Sequence, residues 1–317
     1  MGRHIAFDRA QDDLLKRHGI VASSRYIDVA GQRIHVLEIG TGSPVLFIHG
    51  GGGAAIHWIP LVAALREVRA VLVDRPGHGL SERFDYRGVD LRAHAASFVT
   101  GTMDALGLDR VPVVANSMGG TWALWSALAT PRRIESLTLM GCPAFLLGTG
   151  APRMMRFMSV PGLNRLLLAM QPANARGTRM MWQFLRADLR KLTPEFLTAS
   201  IAVRLLPSGD LAWRTLLENC LRAFGPLPYD IGEEELRRIG QPTLFIWGTR
   251  DPFGPPALGR RAAAVMPNAR VEIVEEGHLP WLDDPARTAQ ILRGHLKQTP
   301  SDGASPDARK LPVAARV

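Results

Sequence analysis

Short apolar runs alternate with stretches of helical spacing along most of the chain. Residues 45–48, 70–73, 111–115 and 134–140 are rich in β-branched and apolar side chains and predict strands. The run at 111–115 shows no polar alternation, as expected of a strand buried on both faces. Between these runs, residues 59–65, 91–106 and 118–130 predict helices, the second with Asp90 placed as its N-cap. Upstream, residues 26–29 and 34–38 flank Ala30-Gly31-Gln32, which predicts a hairpin. The residues before it, to about position 20, predict an amphipathic lead-in helix.

The rhythm breaks after Met140. Residues 143–237 show Met- and Arg-rich helical patterns and no strand signal. Within them, residues 151–191 hold eight basic residues against one acid, Asp188, and six of the eleven methionines. Strand signals return at 243–247 and 270–274, followed by a helix at 285–295. Alternating strands and helices of these lengths imply a mostly parallel, twisted sheet with crossover helices on both faces, an α/β architecture. The chain therefore divides into a first core part at 1–142, a helical insertion at 143–237, a second core part at 238–297, and a tail at 298–317. The tail is rich in Pro, Ser, Asp and Ala, which predicts disorder. No internal repeat is present.

Composition narrows the class. Apolar residues make up 46% and charged residues 21% of the 317, which excludes disordered and fibrous chains. The net charge is +9, from 38 basic and 29 acidic residues. Only four of the basic residues are lysines and no run of five occurs, so the excess reads as a solvated surface and not a nucleic-acid site. Two cysteines, Cys142 and Cys220, form no disulfide framework and have no zinc-ligand spacing. The charged amino-terminal residues lack the apolar stretch of a signal peptide, and a cytoplasmic location is expected. The uncharged stretch 111–131 is interrupted by Asn116, Ser117, Gly119 and Gly120, so no membrane span is expected.

Those interruptions carry the first chemical signal. Ser117 stands between a strand and a helix, with Ala115 and Gly119 two residues to either side. Small neighbours allow a sharp strand-to-helix turn that lifts the serine hydroxyl over the sheet edge and aims the N–H of Met118 at a ligand. The plainer alternative is a serine that caps the helix. His49 and four glycines, Gly50 to Gly53, follow the strand at 45–48, and Gly51 is placed to offer a second N–H to an anion. Asp251 lies just past the strand at 243–247 and His278 just past that at 270–274. A serine needs an imidazole to accept its proton, and the imidazole needs a carboxylate to fix its tautomer. Asp230, Asp283 and Asp284 end no core strand, which leaves Asp251 as the expected partner. Residues Asp74 to Ser81 contain an acid, a histidine and a serine too close in sequence for triad geometry, and read as a hydrogen-bonded loop at the pocket rim.

Taken together, His49-Gly-Gly, Asp74-Arg-Pro-Gly-His-Gly-Leu-Ser81, Asn116-Ser-Met-Gly-Gly120, and Gly248-Thr-Arg-Asp251 with Gly277-His278 resemble the α/β-hydrolase superfamily over residues 26–296. The resemblance implies an α/β-hydrolase fold with a helical cap inserted after strand 6. It further implies Ser117 as nucleophile, His278 as base, Asp251 as orienting acid, and the N–H groups of Met118 and Gly51 as oxyanion hole. No metal or organic cofactor is implied. A serine at 117 disfavours resemblance to haloalkane dehalogenases and epoxide hydrolases, which require aspartate there. The Asn116-Ser117 motif after a glycine-rich loop is similar to the meta-cleavage-product C–C hydrolases, although those carry Trp directly after the base and here Leu279 and Pro280 precede Trp281. The expected function is a serine hydrolase of a medium-sized, largely apolar ester or acyl compound. A C–C hydrolase is the alternative, and a non-catalytic ligand receptor on the same fold the second. Gly52, Asn116, Trp281, Met154 and Met181 are the expected pocket residues. The expected partner is a small molecule, with a monomeric or homodimeric chain.

Overall fold

The computed structural model describes residues 2–298. Eight strands form one sheet: β1 (Ala22–Val29), β2 (Gln32–Ile39), β3 (Pro44–Ile48), β4 (Arg69–Val73), β5 (Val111–Asn116), β6 (Ile134–Met140), β7 (Thr243–Gly248) and β8 (Ala269–Val274). Their spatial order is β1-β2-β4-β3-β5-β6-β7-β8. β2 is antiparallel to both β1 and β4, and every other neighbouring pair is parallel. The β1–β2 hairpin turns on Ala30 and Gly31, both at positive φ (53° and 79°), the twist-matched geometry of a two-residue hairpin loop.

Successive residues of the central strands are buried on opposite faces. Leu46, Ile48, Val113 and Ala115 pack on one side, with Phe98 and Trp122 of the helices Leu91–Ala105 and Met118–Ala129. Val45, Phe47 and Val114 pack on the other, with Leu61 of Ile59–Leu65 and Leu292 of Pro285–Gln298. Helices cover both faces because both faces are apolar. Asp90 caps its helix as expected, accepting hydrogen bonds from the N–H groups of Arg92 and Ala93.

Between β6 and β7 the chain is helical, principally Leu163–Ala169, Ala175–Phe184, Pro194–Leu205 and Gly209–Cys220. A β-bridge between Leu146 and Ile231 joins the two ends of this segment. The opening helix, Gly2–Arg17, sinks Phe7, Leu14 and Leu15 into the same cluster as Phe196 and Ala199 of the insertion. Two further helices, Pro256–Val265 and Pro280–Asp283, follow no periodic pattern in the sequence. The final helix runs to Gln298, so the expected tail loses its first residue to the helix, and the rest of it, 299–317, lies outside the described residues.

Because β3, β5, β7 and β8 run the same way, the segments following them gather at one edge of the sheet. Those segments carry His49, Ser117, Asp251 and His278.

Candidate active site

Ser117 has φ 52° and ψ −119°, and its side chain makes no capping hydrogen bond. The plainer reading of a helix cap therefore fails. A non-glycine residue at that φ is strained, and the surrounding packing must hold it there. Gly119 supplies part of that packing, since a Cβ on it would lie 2.4 Å from the Ile48 carbonyl oxygen and 2.5 Å from that of His49. The helix start is pressed directly against the end of β3. Gly50 approaches as closely from the other side, where a Cβ would stand 2.5 Å from Asn116 Oδ1 and 3.2 Å from Ser117 Cβ.

His278 is buried, and its Nδ1 lies 2.8 Å from Asp251 Oδ2. The same carboxylate oxygen accepts the N–H of Cys142 at 2.8 Å, and Oδ1 accepts the N–H of Phe253 at 2.9 Å. Both oxygens are thus held by backbone donors, and Asp251 meets the imidazole in a fixed orientation. With Nδ1–H committed to Asp251, Nε2 is left as the basic atom. Neither Nε2 nor Ser117 Oγ has a hydrogen-bond partner among the described residues. Both line one cavity. The competing acids are engaged elsewhere. Asp283 accepts the N–H of Asp188, Asp284 that of Arg287, and Asp230 that of Gly148.

The cavity measures about 1020 Å³. Gly51, Gly52, Asn116, Met118, Met154, Met181 and Trp281 all line it beside Ser117 and His278, whereas Asp251 stands behind the imidazole. Asn116 has a second job: its Nδ2 donates to the carbonyls of Met140 (2.7 Å) and His278 (3.3 Å), tying His278 to β6. Trp281 stacks on Trp58 at 4.2 Å and donates its Nε1–H to the His57 carbonyl.

Residues 45–291 match the alpha/beta hydrolase family. The chain belongs to it. A 2-hydroxy-6-oxononadienedioate/2-hydroxy-6-oxononatrienedioate hydrolase of Cupriavidus pinatubonensis is 34% identical over 258 residues, covering 78% of this chain and 84% of the relative. A 2-hydroxy-6-oxo-6-phenylhexa-2,4-dienoate hydrolase of Burkholderia cepacia is 32% identical, over 76% and 82% of the two chains. Among solved structures, a carboxylesterase of Bacillus subtilis superposes with a TM-score of 0.74 at 22% identity, covering 93% of this chain and 99% of its own. These likenesses span both of the bond types considered from the sequence, and the family of alpha/beta hydrolases contains them all.

Within this alpha/beta hydrolase, the sequence pattern did not single out Arg75. Its side chain is fully buried, and Nη2 donates to the carbonyls of Gly50 (2.8 Å) and Gly51 (2.7 Å). His49 reinforces the first of these: Arg75 N–H donates to His49 Nε2 at 3.0 Å, so the proton sits on Nδ1, which donates to the Gly50 carbonyl at 2.8 Å. Burial, with the Arg75 charge beside it, holds the His49 pKa well below its usual value, in keeping with that neutral tautomer. In a trans peptide the carbonyl and the next N–H point opposite ways, so anchoring the Gly50 carbonyl on Arg75 turns the Gly51 N–H away from Arg75. Trp213 of the insertion packs on the outer side of Gly51, where a Cβ would meet its ring at 2.6 Å. The loop 74–81 is the hydrogen-bonded structure expected. Asp74 accepts from Ala55 N–H, Leu80 N–H and His35 Nδ1, and Ser81 Oγ donates to the Asp74 carbonyl.

Proposed function

We propose that this chain is a serine hydrolase that opens largely apolar acyl substrates, esters foremost, through an acyl-enzyme on Ser117. One observation carries the reading: a strained serine with no capping role shares a cavity with an imidazole whose Nδ1 is committed to a carboxylate. In this reading His278 Nε2 takes the Ser117 proton as Oγ attacks the acyl carbon. The oxygen that gains charge lies between the N–H groups of Met118, the first residue of its helix, and Gly51. His278 then returns the proton to the departing alcohol, and water repeats the sequence to free the acid. Asp251 stabilises the imidazolium throughout.

The helical insertion, residues 143–237, acts as the cap that selects substrate. Its Met154, Met155, Met158 and Met181 give the cavity an adaptable apolar wall, and the cavity's size suits a medium-sized acyl group.

A C–C hydrolase is the second reading, favoured by the likeness to the oxo-dienedioate and oxo-dienoate hydrolases at 34% and 32% identity. Against it, Leu279 and Pro280 separate the base from the first tryptophan that follows it. The test is a panel of aryl and alkyl esters beside a 2-hydroxy-6-oxo dienoate, run with wild type and Ser117→Ala. Ester turnover should dominate and fall by about 10⁶-fold in the variant. Ester hydrolysis that survives the substitution defeats the proposal, and a higher kcat/KM on the dienoate selects the second reading.

A further inference from the structure

The basic excess has a location. Among residues 151–191, Arg153, Arg165, Arg176, Arg179, Arg186 and Lys191 are exposed and form no salt bridge among the described residues. The one acid of this stretch, Asp188, is taken by Arg190. The same stretch exposes large apolar side chains: Met154 at 69%, Leu166 at 61%, Met170 at 67% and Phe184 at 45%. Exposed apolar groups of this size are ordinary when scattered singly, but grouped they mark a contact surface. Here Met154, Met170, Met180 and Phe184 border the active-site cavity, and Arg165 borders it with them. Arg165 and these apolar side chains therefore border one cavity, and Arg176 and Arg179 are exposed on the same helix, Ala175–Phe184, as Met180 and Phe184.

We infer that this face of the insertion docks the protein on an anionic lipid surface. Arginines interleaved with Met, Leu and Phe are the chemistry of an interfacial binding face, in which the apolar groups enter the acyl boundary and the cations meet headgroup phosphates. The whole chain, at +9, is drawn the same way. A symmetric contact between two copies would set these unpaired cations against themselves, which argues against self-association as the use of the face. Asp210 at the cavity edge does not offset the arginines either, since it is held by Arg214. Docking in this orientation turns the cavity mouth toward the bilayer, so that a lipid-dissolved acyl compound enters without crossing water. That last consequence rests on the hydrolase reading, whereas the docking does not.

The test is cosedimentation of the full chain with vesicles of phosphatidylcholine alone and of equal parts phosphatidylcholine and phosphatidylglycerol. Wild type and Ser117→Ala should both pellet with the anionic vesicles, remain in solution with the neutral ones, and be released by high salt. Because the nucleophile variant binds equally, the result stands apart from the catalytic reading. The double variant Arg176→Glu, Arg179→Glu should weaken vesicle binding at least about tenfold, since each basic residue near such a surface contributes roughly fivefold. Leu166→Ser should weaken it by about tenfold through lost apolar insertion. Neither variant touches the cavity lining, so hydrolysis of a short soluble ester and the thermal midpoint serve as controls for folding. Equal binding to both vesicle types, no binding to either, or full binding by the double variant overturns the inference. Concentration-dependent dimerisation abolished by Leu166→Ser, without vesicle binding, would assign the face to a second copy instead.

Discussion

Among the described residues Arg75 is a cation buried without a carboxylate partner, and two of its nitrogens, Nε and Nη1, make no hydrogen bond. Burial lowers its pKa to about 10, which still leaves it charged at neutral pH. Its neighbours explain the location: the ring of Trp122 lies 4.8 Å away as a cation–π partner, and two loop carbonyls take Nη2. If its purpose is to aim the Gly51 N–H, Arg75→Met should lower kcat by about 10²-fold and leave KM unchanged, because the lost contact is made only to developing charge. Steady-state kinetics check this, and an unchanged kcat would remove Arg75 from the account. Asp251→Asn keeps the size of the side chain but favours the wrong imidazole tautomer, and should lower kcat by about 10⁴-fold. The same kinetic assay decides it.

At the scale of elements, the turn from β5 into its helix is a tightly constrained junction. Gly119→Ala would drive a methyl into the backbone carbonyls of Ile48 and His49, and neither can withdraw without disturbing β3. A loss of about 2–3 kcal/mol is expected in urea unfolding, and an unshifted midpoint would contradict the close approach. This turn was legible in the sequence because its requirements are local: a small residue two positions to either side of a serine, between an apolar run and an apolar helix. The central strands were legible for a similar reason, since a strand buried on both faces needs an unbroken apolar run. Asn116 was legible as a pocket residue but not as the tie to the His278 carbonyl, a contact spanning 162 residues. Arg75 and Trp213 had no periodic or motif signal of their role, because each acts on the glycine loop across a distance in sequence that no local pattern records. The helix Pro256–Val265 was missed where Gly and Pro, usual turn markers, stand at its start.

For the whole molecule, the buried histidines set the acid limit of stability. Burial lowers the pKa of His57 and His94 to about 4 and of His78 to about 3, from an ordinary 6.5. Between about pH 6.5 and pH 4 the unfolded chain binds protons that the folded chain refuses, so stability falls as pH falls through that window. By about pH 5 each such group should cost on the order of 2 kcal/mol. Thermal melts at a series of pH values should show a falling midpoint below pH 6.5, and a flat profile down to pH 5 would contradict neutral burial. The catalytic account stands or falls on whether Ser117 is activated in the intact protein. Incubation of the full folded chain with a fluorophosphonate, followed by intact-mass and peptide mass spectrometry, measures this directly. One adduct per chain on Ser117, absent from Ser117→Ala and suppressed in Asp251→Asn, is the predicted result. A folded wild-type chain that takes no label, or takes it elsewhere, would contradict the account.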